Sequence, residues 1–161
     1  MLQGSVHIPP GEGRSLWVLG ELVTCKTTSE QTGGAYSLFE VTTQPGGGVL
    51  PHVQHREDES FYVLEGEYEF PVEGRTIRAS AGSLLYVPKS TLHAHKNVGT
   101  TSGRLLVSQT PGGLHERFFE EIAEPAMDRS EPSVTEGLQD MRRTIAIAVK
   151  YGIEIPPPPG Q

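Results

Sequence analysis

The sequence predicts an all-β barrel or sandwich followed by two helices, and three observations predict it. Short apolar runs recur up to about Thr110, each bounded by Gly or Pro. The 19 Gly and 13 Pro are spread as punctuation rather than gathered into a low-complexity tract. After Pro111-Gly112-Gly113 the apolar spacing changes from strand-like to helical. At 161 residues and 17.5 kDa, a single domain is expected. A chain of that size can bury about two thirds of its unfolded surface.

Leu16 to Lys26 reads as the first strand, although its alternation is imperfect. Gly33-Gly34 breaks the chain before Tyr36 to Thr43, which alternates, and Pro45-Gly46-Gly47-Gly48 is a loop. Val49 to His55 reads as a strand interrupted by Pro51, and Ser60 to Leu64 is strongly β-prone. Tyr68 to Val72 and Thr76 to Ala79 flank Glu73-Gly74, which has the look of a two-residue hairpin turn. Leu84 to Val87, Leu92 to Asn97 and Arg104 to Thr110 complete the strands.

Leu114 to Ala123 carries Leu114, Phe118, Phe119 and Ile122 at helical spacing. Glu124 to Pro132 reads as a polar linker, and Ser133-x-x-Glu136 as a capping box. That box opens a helix with Leu138, Met141, Ile145 and Ala148 on one side, closed by Tyr151-Gly152. Ile153 to Ile155 is expected to dock as an edge strand. The expected division is therefore a barrel with N-terminal strands over 1–111 and a helical extension over 112–161.

Lys and Arg total 13 against 20 Asp and Glu, a net charge of −7. An acidic chain without a basic cluster is a poor partner for nucleic acid or anionic lipid. Its longest strongly apolar stretch, Ile145 to Val149, is far short of the roughly 20 residues that span a bilayer. The opening Met1 to Ser5 has neither the basic nor the apolar region of a secretion signal, so a cytoplasmic protein is expected. The single Cys25 rules out an internal disulfide or a multi-cysteine metal site, and reads as a small buried hydrophobe.

Four of the six histidines, His52, His55, His93 and His95, lie in or beside two of these strands. His7 and His115 stand apart and read as surface residues. Alternation puts His52 and Gln54 on one face with His55 on the other, and puts His93 and His95 together. Arg56-Glu57-Asp58 reads as a charged turn, with His55 outward and paired to Glu57 or Asp58. Glu59 begins an apolar strand, where an ionised carboxylate is costly unless something pairs with it. A metal ion shared with imidazoles is one such partner.

Gly46-x5-His52-x-Gln54-x4-Glu59-x6-Gly66 resembles the first motif of the cupin superfamily, and Gly82-x5-Pro88-x-Ser90-x2-His93-x3-Asn97 resembles the second. The resemblance covers about Tyr36 to Thr110. Gly112 to Phe119 and the second helix are similar to the extension of small, quercetinase-like members. It implies a conical antiparallel double-stranded β-helix, the jelly-roll barrel, with a metal site inside. His52, Glu59 and His93 match three of the usual four ligands, and Gln54 stands where the second His of the first motif belongs. A divalent transition metal is implied: Fe, Mn, Ni, Cu or Zn.

Gln54 leaves three readings open. His52, Glu59 and His93 alone form a two-His-one-carboxylate set suited to non-haem iron. Gln54 itself ligates the metal or hydrogen-bonds its water. Or the site is metal-free and its histidines and Glu59 do acid–base work. His95, at an inward position where many relatives carry an aromatic residue, is either a satisfied core histidine or an acid–base or substrate contact. Phe61, Val63, Phe70, Leu84, Tyr86 and Leu106 are candidates to line a pocket or simply fill the barrel. Phe118 and Phe119 are expected to anchor the first helix.

The function implied by the resemblance is a metal-dependent dioxygenase acting on a small aromatic, phenolic or polyketide-like molecule; Glu59 and His95 are the candidate catalytic groups. A non-oxidative cyclase or isomerase is the alternative, and a binding protein without turnover is the third. A homodimer formed through Leu16 to Lys26 is also implied.

Overall fold

The computed structural model of the chain describes residues 4–123, 126–130 and 140–160. Its elements run β1 (Arg14–Val18), β2 (Glu21–Thr27), β3 (Ser37–Thr43), β4 (Gly48–Gln54), β5 (Asp58–Glu65), β6 (Glu67–Val72) and β7 (Arg75–Ser80). There follow β8 (Leu84–Val87), β9 (His93–Asn97), β10 (Gly103–Thr110), α1 (Leu114–Ile122), α2 (Met141–Lys150) and β11 (Ile153–Glu154). Two antiparallel sheets result, in the orders β1-β2-β3-β10-β5-β8 and β11-β4-β9-β6-β7.

The core lies between the sheets because period-2 alternation sends one face of each strand inward. On β5 that face carries Glu59, Phe61 and Val63; on β6 it carries Tyr68, Phe70 and Val72; on β10, Leu105, Val107 and Gln109. Phe61 meets Phe70 across the sheets at 5.2 Å between ring centroids. Of the six candidate pocket residues only Phe61 lines the pocket. Val63 and Phe70 are sealed in the core, while Leu84 and Tyr86 face outward, 68% and 57% exposed. The short edge strand β8 turns Leu84 and Tyr86 away from the barrel and keeps Leu85 and Val87 against the core.

The expected first strand is two strands. Leu19 and Gly20 have φ of 51° and 86°, and Val18 pairs with Glu21 across them. Two successive positive φ angles are the mark of a type I′ hairpin, which is usually signalled by Asn-Gly or Asp-Gly. Leu in the first position hides that signal, and the hairpin brings Glu21 to a buried position. Glu73-Gly74, with φ of 46° and 79°, is the turn its sequence predicts.

Pro51 falls in a β-bulge. Val49 pairs with His95 and His52 with His93, so three steps on β4 oppose two on β9. A residue without an N–H is tolerated where the ladder is already broken. The bulge also sets His52 directly across from His93.

α1 packs against β1 and β3, where the Phe119 ring stands edge-on to Phe39 at 5.3 Å. α2 is capped by Asp140, which accepts from the Arg142 and Arg143 N–H groups. The expected capping box at Ser133 and Glu136, and Leu138 with it, lies outside the described residues. Gly152, at φ 77°, ends α2 as expected, and β11 pairs with β4 through Ile153 and Gln54. The 126–130 segment lies along β1: Ala126 N–H donates to Ser15 O, and the Trp17 indole donates to Asp128 O.

Candidate metal centre and pocket

His52 on β4, Glu59 on β5 and His93 on β9 converge. One potential ligand atom from each lies within 4.8 Å of the others. Glu59 and His93 are buried, and His52 is partly open. Both imidazoles are tied back in the same way. His52 Nδ1 is 2.9 Å from Leu50 O, and His93 Nδ1 is 2.9 Å from Thr91 O. A carbonyl can only accept, so each Nδ1 carries the hydrogen and Nε2 is the atom left to face Glu59.

Glu59 receives three donors. His93 Nε2 is 2.9 Å and Gln54 Nε2 2.7 Å from its Oε2, and Gln109 Nε2 is 3.0 Å from its Oε1. Burial pushes the Glu59 carboxyl up, but the His93 hydrogen bond and the fields of His115, His93 and His52 outweigh it and hold it at about 2. For His52, burial and then the neighbouring His93 bring the imidazole down to about 4, so it is neutral at pH 7. Burial acts downward on His93 as well, yet its hydrogen bond to Glu59 raises it above the ordinary value. An anionic carboxylate, a neutral imidazole and an imidazole that gives up Nε2–H to a cation make a donor set fit for a divalent transition metal.

Gln54 is buried beside this group. Its NH2 reaches Glu59 and lies 3.3 Å from His115 Nε2, while its Oε1 has no protein partner among the described residues. His115 is the principal correction to the sequence reading. It is 5% exposed and lines the same pocket, with Nδ1 2.6 Å from Glu57 Oε2. Glu57 is not part of an exposed turn either. It is 2% exposed and also accepts from the Leu114 and His115 N–H groups at the start of α1. His55 faces outward as expected, but its partner is Glu154 at 2.8 Å. His7 is exposed.

His95 points inward beside His93 and forms a second polar locus. Its Nε2 is 2.7 Å from Glu21 Oε1, which also accepts from the Thr43 hydroxyl at 2.7 Å. The His95 Nδ1 is buried without a protein partner among the described residues. Glu21, Glu59, His52, His95, Gln109 and His115 are the polar members of one pocket. Its walls include Phe39, Phe61, Phe118, Phe119 and Met141, so the two phenylalanines of α1 border the pocket as well as anchoring the helix.

Glu21, Glu57, Gln109 and His115 were missed by reading the sequence. Gln109 sits opposite Glu59 in the β5–β10 register, and Glu57 lies just before β5, two positions from Glu59. Alternation could have flagged Glu57, and helical spacing with Phe118, Phe119 and Ile122 could have flagged His115 as buried; nothing in the sequence places Glu21 near them.

Comparison with known proteins agrees with this geometry. Residues 39–108 match the Cupin domain family. Quercetin 2,3-dioxygenase of Bacillus subtilis (strain 168) is 26% identical over 115 residues, 71% of this chain and 34% of that protein. The chain thus spans about a third of that relative. Polyketide synthase CurC of Streptomyces cyaneus is 29% identical over 68 residues, 42% of this chain and 44% of that protein. Among solved structures, KdgF from Halomonas sp. superposes with a TM-score of 0.61 at 21% identity, over 69% of this chain and 96% of that one. That likeness establishes the fold, a double-stranded β-helix.

Proposed function

Because this chain is a small cupin-superfamily protein, we propose that it is a metal-dependent dioxygenase acting on a small aromatic, phenolic or polyketide-like molecule held between its sheets. The observation that carries this is the convergence of Glu59 with two imidazoles whose Nδ1 atoms are both tied back, in a pocket walled by aromatic rings. His52, Glu59 and His93 would hold the ion, with Gln54 beside them. When bound, a divalent metal supplies Lewis acidity and, if redox-active, a path for electrons between substrate and dioxygen.

The chain's own residues supply the rest. Phe39, Phe61, Phe118 and Phe119 offer apolar faces to a flat ring and keep water from it. Glu59, held ionised at about 2, is suited to ligation rather than to taking a proton at neutral pH. That task falls to His95: its Nδ1 accepts the proton of a substrate hydroxyl while Nε2–H stays on the Glu21 carboxylate. The O–H bond breaks, the Nδ1–H bond forms, and Glu21 stabilises the imidazolium.

The test is metal analysis of protein purified without chelator, followed by oxygen uptake on a phenolic substrate. Stoichiometric Fe, Mn, Ni or Cu with oxygen consumed supports the reading. Full activity in chelator with an empty site ends it. His95→Phe should lower turnover by about 100-fold or more with the fold intact; an unchanged rate removes His95 from the mechanism.

A non-oxidative cyclase or isomerase is the second reading, favoured by the similarity to polyketide synthase CurC and by a His95–Glu21 pair that stands apart from the metal group. Product formed without oxygen consumption would select it. A ligand recovered unchanged would select binding without turnover.

A further inference from the structure

The barrel motifs account for His52, Glu59 and His93 but leave a neutral amide where a third imidazole belongs. They also leave unexplained a buried histidine on the far side of that amide. We propose that His115 is a further protein ligand of the metal site, supplying from α1 the imidazole that β4 lacks at Gln54. This rests on the metal reading above and extends it beyond the two motifs.

Three observations support it. The His115 tautomer is fixed for ligation, because Glu57 is an acceptor only and Nδ1 lies 2.6 Å from its Oε2, so Nδ1 carries the hydrogen. A carboxylate behind the imidazole is the arrangement that orients metal-binding histidines and raises their basicity. Gln54 Nε2 is a donor, so its 3.3 Å approach requires His115 Nε2 to present a lone pair. All three histidines therefore have Nδ1 tied back and Nε2 turned inward, His52 and His93 on carbonyls and His115 on a carboxylate.

Second, the Gln54 NH2 occupies the place of a cation. It is 2.7 Å from Glu59 Oε2 and 3.3 Å from His115 Nε2, so two lone pairs from separate elements aim at one partially positive group. A metal ion satisfies the same two acceptors more strongly. The third observation concerns what the amide leaves behind. Gln54 Oε1 is buried with no protein partner among the described residues. Turning the amide about its last torsion exchanges Oε1 for Nε2 at that place, so the same side chain would then present an acceptor, rather than a donor, to a cation.

The probe is Co(II), added to chelator-treated protein and followed by equilibrium competition for affinity and by X-ray absorption for the number of imidazoles bound. Wild type should show three imidazoles. His115→Gln, which keeps the side chain long and polar, should show two and bind at least about tenfold more weakly. Gln54→His placed in the His115→Gln background should restore the third imidazole and most of the affinity, and it reports even if the single variant is unstable. An unchanged imidazole count in His115→Gln overturns the proposal, including the case in which affinity falls, since His115 then acts only through Gln54. Glu59→Gln separates this from the reading beneath it. If wild type binds Co(II), Glu59→Gln does not, and His115→Gln keeps the wild-type count, only this inference fails. If wild type takes up no Co(II), both fail.

Discussion

An imidazole has two nitrogens, and at the residue scale this chain uses the difference between them. In His52, His93 and His115 each Nδ1 is tied to a backbone carbonyl or a carboxylate, which leaves Nε2 free to face inward; in His95 the order is reversed, with Nε2 on Glu21 and Nδ1 without a protein partner among the described residues. One residue type thus presents Nε2 in one place and Nδ1 in another. The same scale decides Cys25. Burial first, and then Glu116, push its thiol up to about 11 from an ordinary 9.0. The folded state therefore holds the thiol proton more tightly than the unfolded state does. This stabilisation is intact below about pH 9 and is lost as pH rises toward 11. Iodoacetamide should label Cys25 slowly at pH 8 in the folded protein and quickly in urea; equal rates would contradict a half-buried, protonated thiol.

Among the elements, β4 and α1 shape the site. β4 carries a bulge that faces His52 toward His93, and its Gly48 lies tight against β9: a Cβ there would stand 2.0 Å from His95 O and 2.8 Å from the Lys96 Cα. Both obstacles are backbone and cannot swing aside. Gly48→Ala should cost about 1–3 kcal/mol in urea unfolding, and a loss near zero would mean that the strands separate freely. α1 begins on Glu57, whose carboxylate serves two N–H groups of the first turn and the His115 ring together. Glu57→Ala removes a buried acceptor from all three and should destabilise by about 3–5 kcal/mol. A change below 1 kcal/mol would show that α1 does not need that anchor.

These two elements also show how far the sequence could be read. Strand alternation and motif spacing were sufficient for β3 to β10, and for the prediction that His52, Glu59 and His93 share one place. The β1–β2 hairpin was hidden because Leu19 adopts a positive φ that Asn or Asp usually signals. His115 was read as a surface residue although its spacing sets it on the same helical face as Phe118, Phe119 and Ile122, and its partner Glu57 lies 58 positions away. Leu84 and Tyr86 were offered as lining residues on composition alone, but the edge strand β8 exposes them.

At the scale of the whole molecule, two sheets enclose a pocket that α1, α2 and β11 border from one side. The resemblance implies a homodimer through the first strand, yet Ala126 and Asp128 already bond along β1 to Ser15 and Trp17. A dimer must therefore add its partner beyond that segment or use another surface. Light scattering at micromolar concentration checks it: twice the 17.5 kDa chain mass supports the dimer, and the single mass removes it.

The sequence by itself determined the strand pattern, the helical ending and the positions of the three converging residues His52, Glu59 and His93, because each depends on spacing along one strand or between motifs. Only the tertiary structure decided that Glu21 meets His95 and that His115 meets Gln54. Those pairs join segments 74 and 61 residues apart. Each buried polar atom must find its partner across the closed barrel, and a linear pattern carries no record of which distant residue that is.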